Sequence, residues 1–262
     1  MGAHSGERKM RMRLADFLPF VRQYGAEHIT LDGKYLRIVL NNHPFDLKLK
    51  NAGGEAPVYM AWLDTHPPDK NHPDVDPLLP HASAVERARL IKKIDSFYKL
   101  DIKTIITPAS LKSIPAIEET VEIASEMLDK PLALIILPGG KVKEKVKRVS
   151  IIPPISYHNV TSPVDDKFLG ISRDGYELLR ELNPMGKGIL MVDDVYTTGG
   201  TDDGMQRVIN EVLHLPQDTR HPLVVVATES AYGEKYPEQP PEHVFSLIHI
   251  PEFIGGLPSV RK

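Results

Sequence analysis

Two adjacent carboxylates followed by a run of threonines and glycines are the residues of this chain best suited to chemistry. They stand in Ile189-Leu-Met-Val-Asp193-Asp194-Val-Tyr-Thr197-Thr198-Gly199-Gly200-Thr201. The opening apolar residues read as a buried strand, with the carboxylates at its carboxyl end. The turn that follows leads into a helix starting near Asp202. Gly199 and Gly200 lack a Cβ, so the backbone there can approach an anion closely and line it with successive N–H groups. A helix N-terminus adds partial positive charge, and Thr197, Thr198 and Thr201 add hydroxyl donors. A carboxylate repels phosphate, so Asp193 and Asp194 must face another part of the ligand. Neighbouring sugar hydroxyls are the natural partners, because carboxylates accept charge-assisted hydrogen bonds. Asp202 and Asp203 favour the helix dipole but have to point away from any bound phosphate.

Such a strand–turn–helix needs a sheet behind it. Residues 84–100 carry Ala88, Ile91, Ile94 and Phe97 at helical spacing, and residues 104–107 are a short β-branched run. Residues 114–128 return to helical spacing, and residues 132–137 are a buried strand. The cycle continues through 188–192, 202–213, 223–228 and 244–250. Strands alternating with helices predict an α/β fold with a doubly wound, mostly parallel sheet covered on both faces. In such sheets ligands bind beyond the carboxyl ends of the strands.

The preceding stretch has a different texture. Residues 27–63 alternate apolar and polar, as in Tyr35, Ile38 and Leu40, then Phe45, Leu47 and Leu49, with Gly33 and Asn41-Asn42 as turns. This pattern predicts a small antiparallel unit. Residues 65–80 contain Pro67, Pro68, Pro73, Pro77 and Pro80, and predict a linker or surface loop rather than helix or central strand. The expected division is an N-terminal segment 1–26, the β unit with its Pro-rich linker 27–82, and an α/β core 83–262.

Composition narrows the function classes. The chain has 262 residues, 41% of them hydrophobic and 26% charged, as in an ordinary globular protein. A net charge of −3 argues against bulk nucleic-acid binding. The absence of cysteine excludes disulfides, thiolate metal sites and cysteine nucleophiles, and fits a cytoplasmic protein. No apolar run approaches the roughly 18 residues that span a bilayer. The basic start, residues 1–13, is not followed by a signal-peptide core, and Gly6 stands where a myristoylation signal wants Ser or Thr.

Over its whole length, the segment from Ile189 to Thr201 resembles the 5-phosphoribosyl-1-pyrophosphate (PRPP) signature of type I phosphoribosyltransferases. The resemblance implies that Asp193 and Asp194 hold the ribose 2′- and 3′-hydroxyls. It implies that Thr197, Thr198, Gly199, Gly200 and Thr201 wrap the 5′-phosphate. It extends over residues 84–253. The loop Pro108-Ala109-Ser110-Leu111-Lys112 stands where the family receives pyrophosphate on backbone amides, with Lys112 as an added cation, although this version has no glycine. Gly139-Gly140-Lys141-Val-Lys143-Glu-Lys145-Val-Lys147-Arg148 stands where related enzymes close a mobile loop over PRPP. Lys141, Lys143 and Lys145 are then the expected catalytic cations, stabilising the leaving pyrophosphate. Alternating lysines also suit a solvated hairpin that avoids edge pairing.

The run from Leu247 to Phe253 resembles the last core strand of adenine-type purine phosphoribosyltransferases, which also carry an N-terminal hood over the base. Hypoxanthine-guanine enzymes usually place a carboxylate where Thr197 stands, and the arginine-containing pyrophosphate loop of the adenine type is missing here. The implied activity is transfer of phosphoribosyl from PRPP to a free base, a purine first, with Mg²⁺ carried largely by the PRPP oxygens. The implied assembly is a homodimer, with no membrane or nucleic-acid partner. The alternative is a PRPP-sensing regulator or non-catalytic PRPP- or nucleotide-binding protein, since several transcriptional regulators share this fold. No helix-turn-helix pattern precedes Ala84.

Other clusters read as background. His66, Asp69, His72, Asp74 and Asp76 lie among prolines without the helical pairing that pre-orients metal ligands. The sequon Asn159-Val-Thr161 lacks a secretory context. His158 and His249 fall near predicted strand ends, where structural histidines are common. No Gly-x-Ser-x-Gly elbow is present.

Overall fold

The computed structural model describes residues 29–32, 35–40, 43–48, 77–109, 113–140, 143–157, 167–196, 199–229 and 241–250. The first strands, β1 (Ile29–Asp32), β2 (Tyr35–Leu40) and β3 (His43–Lys48), form an antiparallel sheet in sequence order. Asp32 pairs with Tyr35 and Leu40 with His43, so Gly33 and the Asn41-Asn42 pair fall at the two turns. The expected antiparallel unit is therefore present over 29–48, and 49–63 lies outside the described residues. β2 lies beside the first helix, α1 (Leu79–Tyr98).

The core sheet is formed by β4 (Thr104–Pro108), β5 (Ala133–Leu137), β9 (Ile189–Val192), β11 (Leu223–Glu229) and β12 (Val244–Ile250). Their order is β5-β4-β9-β11-β12, and every pairing is parallel. β4 and β9 are buried at each position, as strands covered on both sides must be. Side chains alternate between two apolar layers. Ile105, Leu190, Val192, Val224 and Val226 pack with α1 and α2 (Ile114–Leu128). Ile106, Ile189, Met191, Leu223 and Val225 pack with the later helices α4 (Arg173–Leu182) and α5 (Gly200–Leu213). This is the doubly wound α/β fold expected from the alternation of patterns.

Strand order reverses between β4 and β9. From β4 the chain proceeds to β5 on one side, and from β9 to β11 and β12 on the other. In open α/β sheets such a reversal is where ligands bind, beyond the carboxyl ends of the strands. β4 pairs with β9 only as far as Met191, whereas β11 runs on beside the chain. Asp193 N donates to Val224 O and Asp194 O accepts from Val226 N, after which β10 (Val195–Tyr196) pairs with Ala227 and Thr228 in the same register. The carboxylates thus sit inside a strand that is supported on one side and open on the other.

Three expectations change. α1 begins at Leu79 with Pro80 in its first turn, where a missing N–H costs nothing, so the end of the Pro-rich stretch is helical. α5 begins at Gly200 rather than Asp202. The expected loop at 139–148 is partly ordered structure. Lys143–Val149 is the helix α3, composed largely of good helix formers and anchored by Val146, which is buried. Around it β6 (Gly139–Gly140), β7 (Ile155–Tyr157) and β8 (Lys167–Leu169) form an antiparallel sheet of order β6-β8-β7.

The entry to β9 depends on one glycine. Gly188 has φ +74°, and a Cβ there would lie 2.6 Å from Asp101 O. Its own carbonyl accepts from Lys103 N and Thr104 N, tying the start of β9 to β4. Gly188→Ala should destabilise the chain by about 1–3 kcal/mol. A lowered urea midpoint in equilibrium unfolding is the expected result, and an unchanged midpoint contradicts this account of the β9 entry.

Candidate phosphate- and sugar-binding site

Asp193 is buried at 7% exposure, and its Oδ1 accepts from Asp194 N at 2.9 Å. Burial, followed by the charge of Asp194, holds the Asp193 carboxyl well above the ordinary carboxylate value, while Lys167 on β8 opposes that rise. Tyr157 on β7 closes the same corner. Its hydroxyl hydrogen-bonds Thr201, and burial together with the Asp193 charge pushes it up to about 12. The β7–β8 pair thereby brings a hydroxyl and a cation to the carboxylates and to the first turn of α5.

That first turn is shaped as an anion site. Gly199 is the N-cap with φ +77°, and among the described residues no side chain caps the helix. A Cβ on Gly199 would also come within 2.7 Å of the Tyr196 hydroxyl, so both conformation and space call for glycine. Asp203 N donates to Gly199 O, closing the first helical hydrogen bond and leaving the N–H groups of Gly200, Thr201 and Asp202 without a partner in the helix.

The acidic residues of this turn have partners of their own. Asp202 is buried beside His243, the residue that precedes β12. Its Oδ2 pairs with His243 Nε2 at 2.9 Å, and its Oδ1 accepts from Gln206 Nε2 at 3.1 Å. Gln206 then holds the backbone of His221 on both sides, donating to its carbonyl and accepting from its N–H, each at 2.9 Å. His221 is itself held down to about 4, by burial first and then by His243. Asp203 is half exposed and faces Arg207 at 3.9 Å. This buried network braces α5 from behind and fixes the height of its N-terminus.

On the neighbouring strand, Ala109 follows β4, and its N–H is engaged with Leu137 O at 2.8 Å. That amide extends the β4–β5 ladder instead of facing a ligand. Ser110, Leu111 and Lys112 lie outside the described residues. α2 starts just beyond, and Arg87 of α1 reaches it: this fully buried guanidinium donates from Nη2 to Ala116 O at 3.2 Å. A permanent cation therefore lies beneath the exit of that loop. Lys145 is on the exposed side of α3, while Lys141, the Lys143 side chain, Thr197, Thr198 and His158 lie outside the described residues. So do the His66–Asp76 cluster and Asn159.

Arg87, Tyr157 and Lys167 were not anticipated from the sequence. For Arg87 a signal existed, because it stands on the apolar stripe of Ala84, Ala88 and Ile91 where a charge needs a reason. Tyr157 and Lys167 belong to the short strands hidden within the basic and polar stretch. Among the described residues no group of three or more His, Asp or Glu is placed to hold a metal. No described helix is long and apolar enough to cross a membrane.

No family model matches the chain, and no curated protein matches its sequence. Solved structures do align with it. An adenine phosphoribosyltransferase from Giardia lamblia, complexed with 9-deazaadenine, aligns at TM-score 0.41 and 16% identity over 66% of this chain and 80% of that one. A hypoxanthine phosphoribosyltransferase from Trypanosoma cruzi, in a ternary substrates complex, aligns at 0.40 and 15% over 66% and 77%. The adenine phosphoribosyltransferase of Trypanosoma brucei, with AMP, pyrophosphate and ribose-5-phosphate, aligns at 0.38 and 12% over 58% of this chain, which spans 54% of that enzyme.

The burial of Asp193 has a measurable consequence. Its folded pKa lies above the unfolded value of 3.8, so the folded chain retains a proton that the unfolded chain releases. The associated stability is fully present below about pH 3.8 and is lost as pH rises toward the folded pKa. At neutral pH the buried carboxyl therefore destabilises the fold. Asp193→Asn should raise the melting temperature at pH 7, with the gain shrinking as pH falls to 4. A lowered melting temperature at pH 7 contradicts this reading of the site.

Proposed function

We propose that the chain is a phosphoribosyltransferase that transfers 5-phosphoribosyl from PRPP to a purine base and releases pyrophosphate. One observation carries the reading: a carboxylate pair and an uncapped, glycine-opened helix N-terminus follow one another at the carboxyl end of the strand beside which strand order reverses. Asp193 and Asp194 accept hydrogen bonds from the ribose 2′- and 3′-hydroxyls. The turn at Thr197, Thr198, Gly199, Gly200 and Thr201 surrounds the 5′-phosphate with N–H and hydroxyl donors. The pyrophosphate then extends toward the loop after β4, which includes Ser110, Leu111 and Lys112.

The donor set is compatible with Mg²⁺. It consists of hard carboxylate oxygens beside a ligand that carries its own phosphate oxygens, and such an ion neutralises the departing pyrophosphate. Lys141, Lys143 and Lys145 add cations on the same side of the reaction. Catalysis rests on holding the base nitrogen about 3–3.5 Å from the anomeric carbon and on stabilising charge as it develops on the leaving group. The N-terminal antiparallel sheet serves as the hood over the base. A cytoplasmic homodimer completes the reading.

A second reading, a PRPP sensor, is favoured by the engagement of the Ala109 N–H in the sheet. A sensor needs the phosphate turn and the carboxylates but not a receptive pyrophosphate loop. Incubating the full chain with PRPP, Mg²⁺ and a panel of free bases separates the two. The transferase reading expects pyrophosphate release with at least one purine. Failure across the panel, by a protein that binds PRPP, overturns the transferase and leaves the sensor.

A further inference from the structure

α1 and α2 lie side by side on one face of the sheet, and their outward surfaces carry opposite charge. Along α1, Arg89, Lys92 and Lys93 are exposed at spacings of three and four residues. Along α2, Glu118, Glu122 and Glu126 are exposed at successive i, i+4 positions. Like charges at these spacings destabilise the helix that carries them. Among the described residues Lys92, Lys93 and the three glutamates enter no ion pair. Arg89 is paired with Glu86 of its own helix, whereas Lys92, Lys93 and the glutamate stripe have no balancing partner on theirs among the described residues.

Each stripe also borders a groove with apolar residues in its walls. The basic one, of about 830 Å³, has Leu90, Ile94, Phe97, Tyr98 and Phe245 in its walls. The acidic one, of about 630 Å³, has Val121, Leu132 and Leu134 beneath its carboxylates. Phe97 is 79% exposed and Tyr98 51%, and they form an aromatic ridge with Phe245, with ring centroids 4.8 Å and 5.9 Å apart. One edge of this face is thus basic with projecting rings, and the other is acidic with an apolar floor.

We infer that this face is the contact surface of a homodimer in which α1 of each copy lies on α2 of the other. A two-fold axis running between the helices and parallel to them produces that arrangement, and every complementary contact then occurs twice. Lys92 and Lys93 meet the partner's glutamate stripe, and Phe97 and Tyr98 enter the groove over the partner's apolar floor. A 20-residue helix is about 30 Å long, and two helices side by side are about 20 Å wide. The face therefore offers about 600 Å² before its rim is counted, close to the roughly 800 Å² per partner of a standard interface. An anionic membrane or acidic peptide would satisfy the basic stripe and be repelled by the acidic one. A second copy satisfies both.

Sedimentation equilibrium of the full chain tests the inference. The wild type should be dimeric at micromolar concentration. Lys92→Glu with Lys93→Glu, and separately Glu122→Lys with Glu126→Lys, should each weaken dimerisation about a hundredfold or more. Mixing the two variants should restore a dimer, because the reversed stripes then match. Phe97→Ser, at a side chain too exposed to support the core, should also shift the chain toward monomer. A monomeric wild type overturns the inference, including one that instead sediments with anionic vesicles. So does a dimer that survives both reversals, or a mixture that stays monomeric.

Discussion

Asp193 and Asp194 are adjacent in a strand whose other residues are hydrocarbon, and much of the surrounding structure can be understood as the means of keeping them there. A buried carboxyl is raised in pKa and costs stability when ionised. The strand tolerates it because β11 continues to supply hydrogen bonds on one side after β4 has turned away on the other. The same departure of β4 ends the pairing on the other edge at Met191. Support on one edge and vacancy on the other therefore follow from a single feature of the topology, the reversal of strand order. Beside it, His243, Gln206 and His221 form a buried chain with the Asp202 carboxylate in the first turn of α5. In the proposed reading the acid on the strand is what meets a sugar, while Asp202 of the helix is turned inward to His243 and Gln206.

Much of this was legible in the sequence because it depends on local chemistry. Unbroken apolar strands between helical periods define a parallel sheet, and the core strands and α2 follow those patterns closely. The glycines of the turn are readable for the same reason: Gly199 combines a positive φ with a contact that a Cβ would not fit. Even the inward turn of Asp202 follows from the sign of its charge, although its partner His243 lies too far along the chain to be named from spacing.

What was not legible depends on contacts distant in sequence. The lysine-rich stretch at 143–149 alternates as an exposed strand or loop would, yet forms a helix because the buried Val146 gives it an anchor. β6, β7 and β8 are too short for periodicity to register, and each exists only by pairing with another. Tyr157 and Lys167 arrive at the carboxylates through that pairing. Arg87 is buried because α1 packs on the start of α2, a packing that no local pattern announces. Pro80 shows the complementary limit, since a proline that forbids a helix interior is compatible with the first turn.

The central claim is that the carboxylate pair grips a ribose while the glycine turn grips its phosphate. Isothermal titration of PRPP with Mg²⁺ into the wild type and into Asp193→Asn with Asp194→Asn tests it directly. Each lost hydrogen bond to a charged acceptor is worth about 1.5–3 kcal/mol. The account therefore predicts saturable binding by the wild type and at least about a hundredfold weaker binding by a double variant that remains folded. Equal affinity in the two proteins would contradict it.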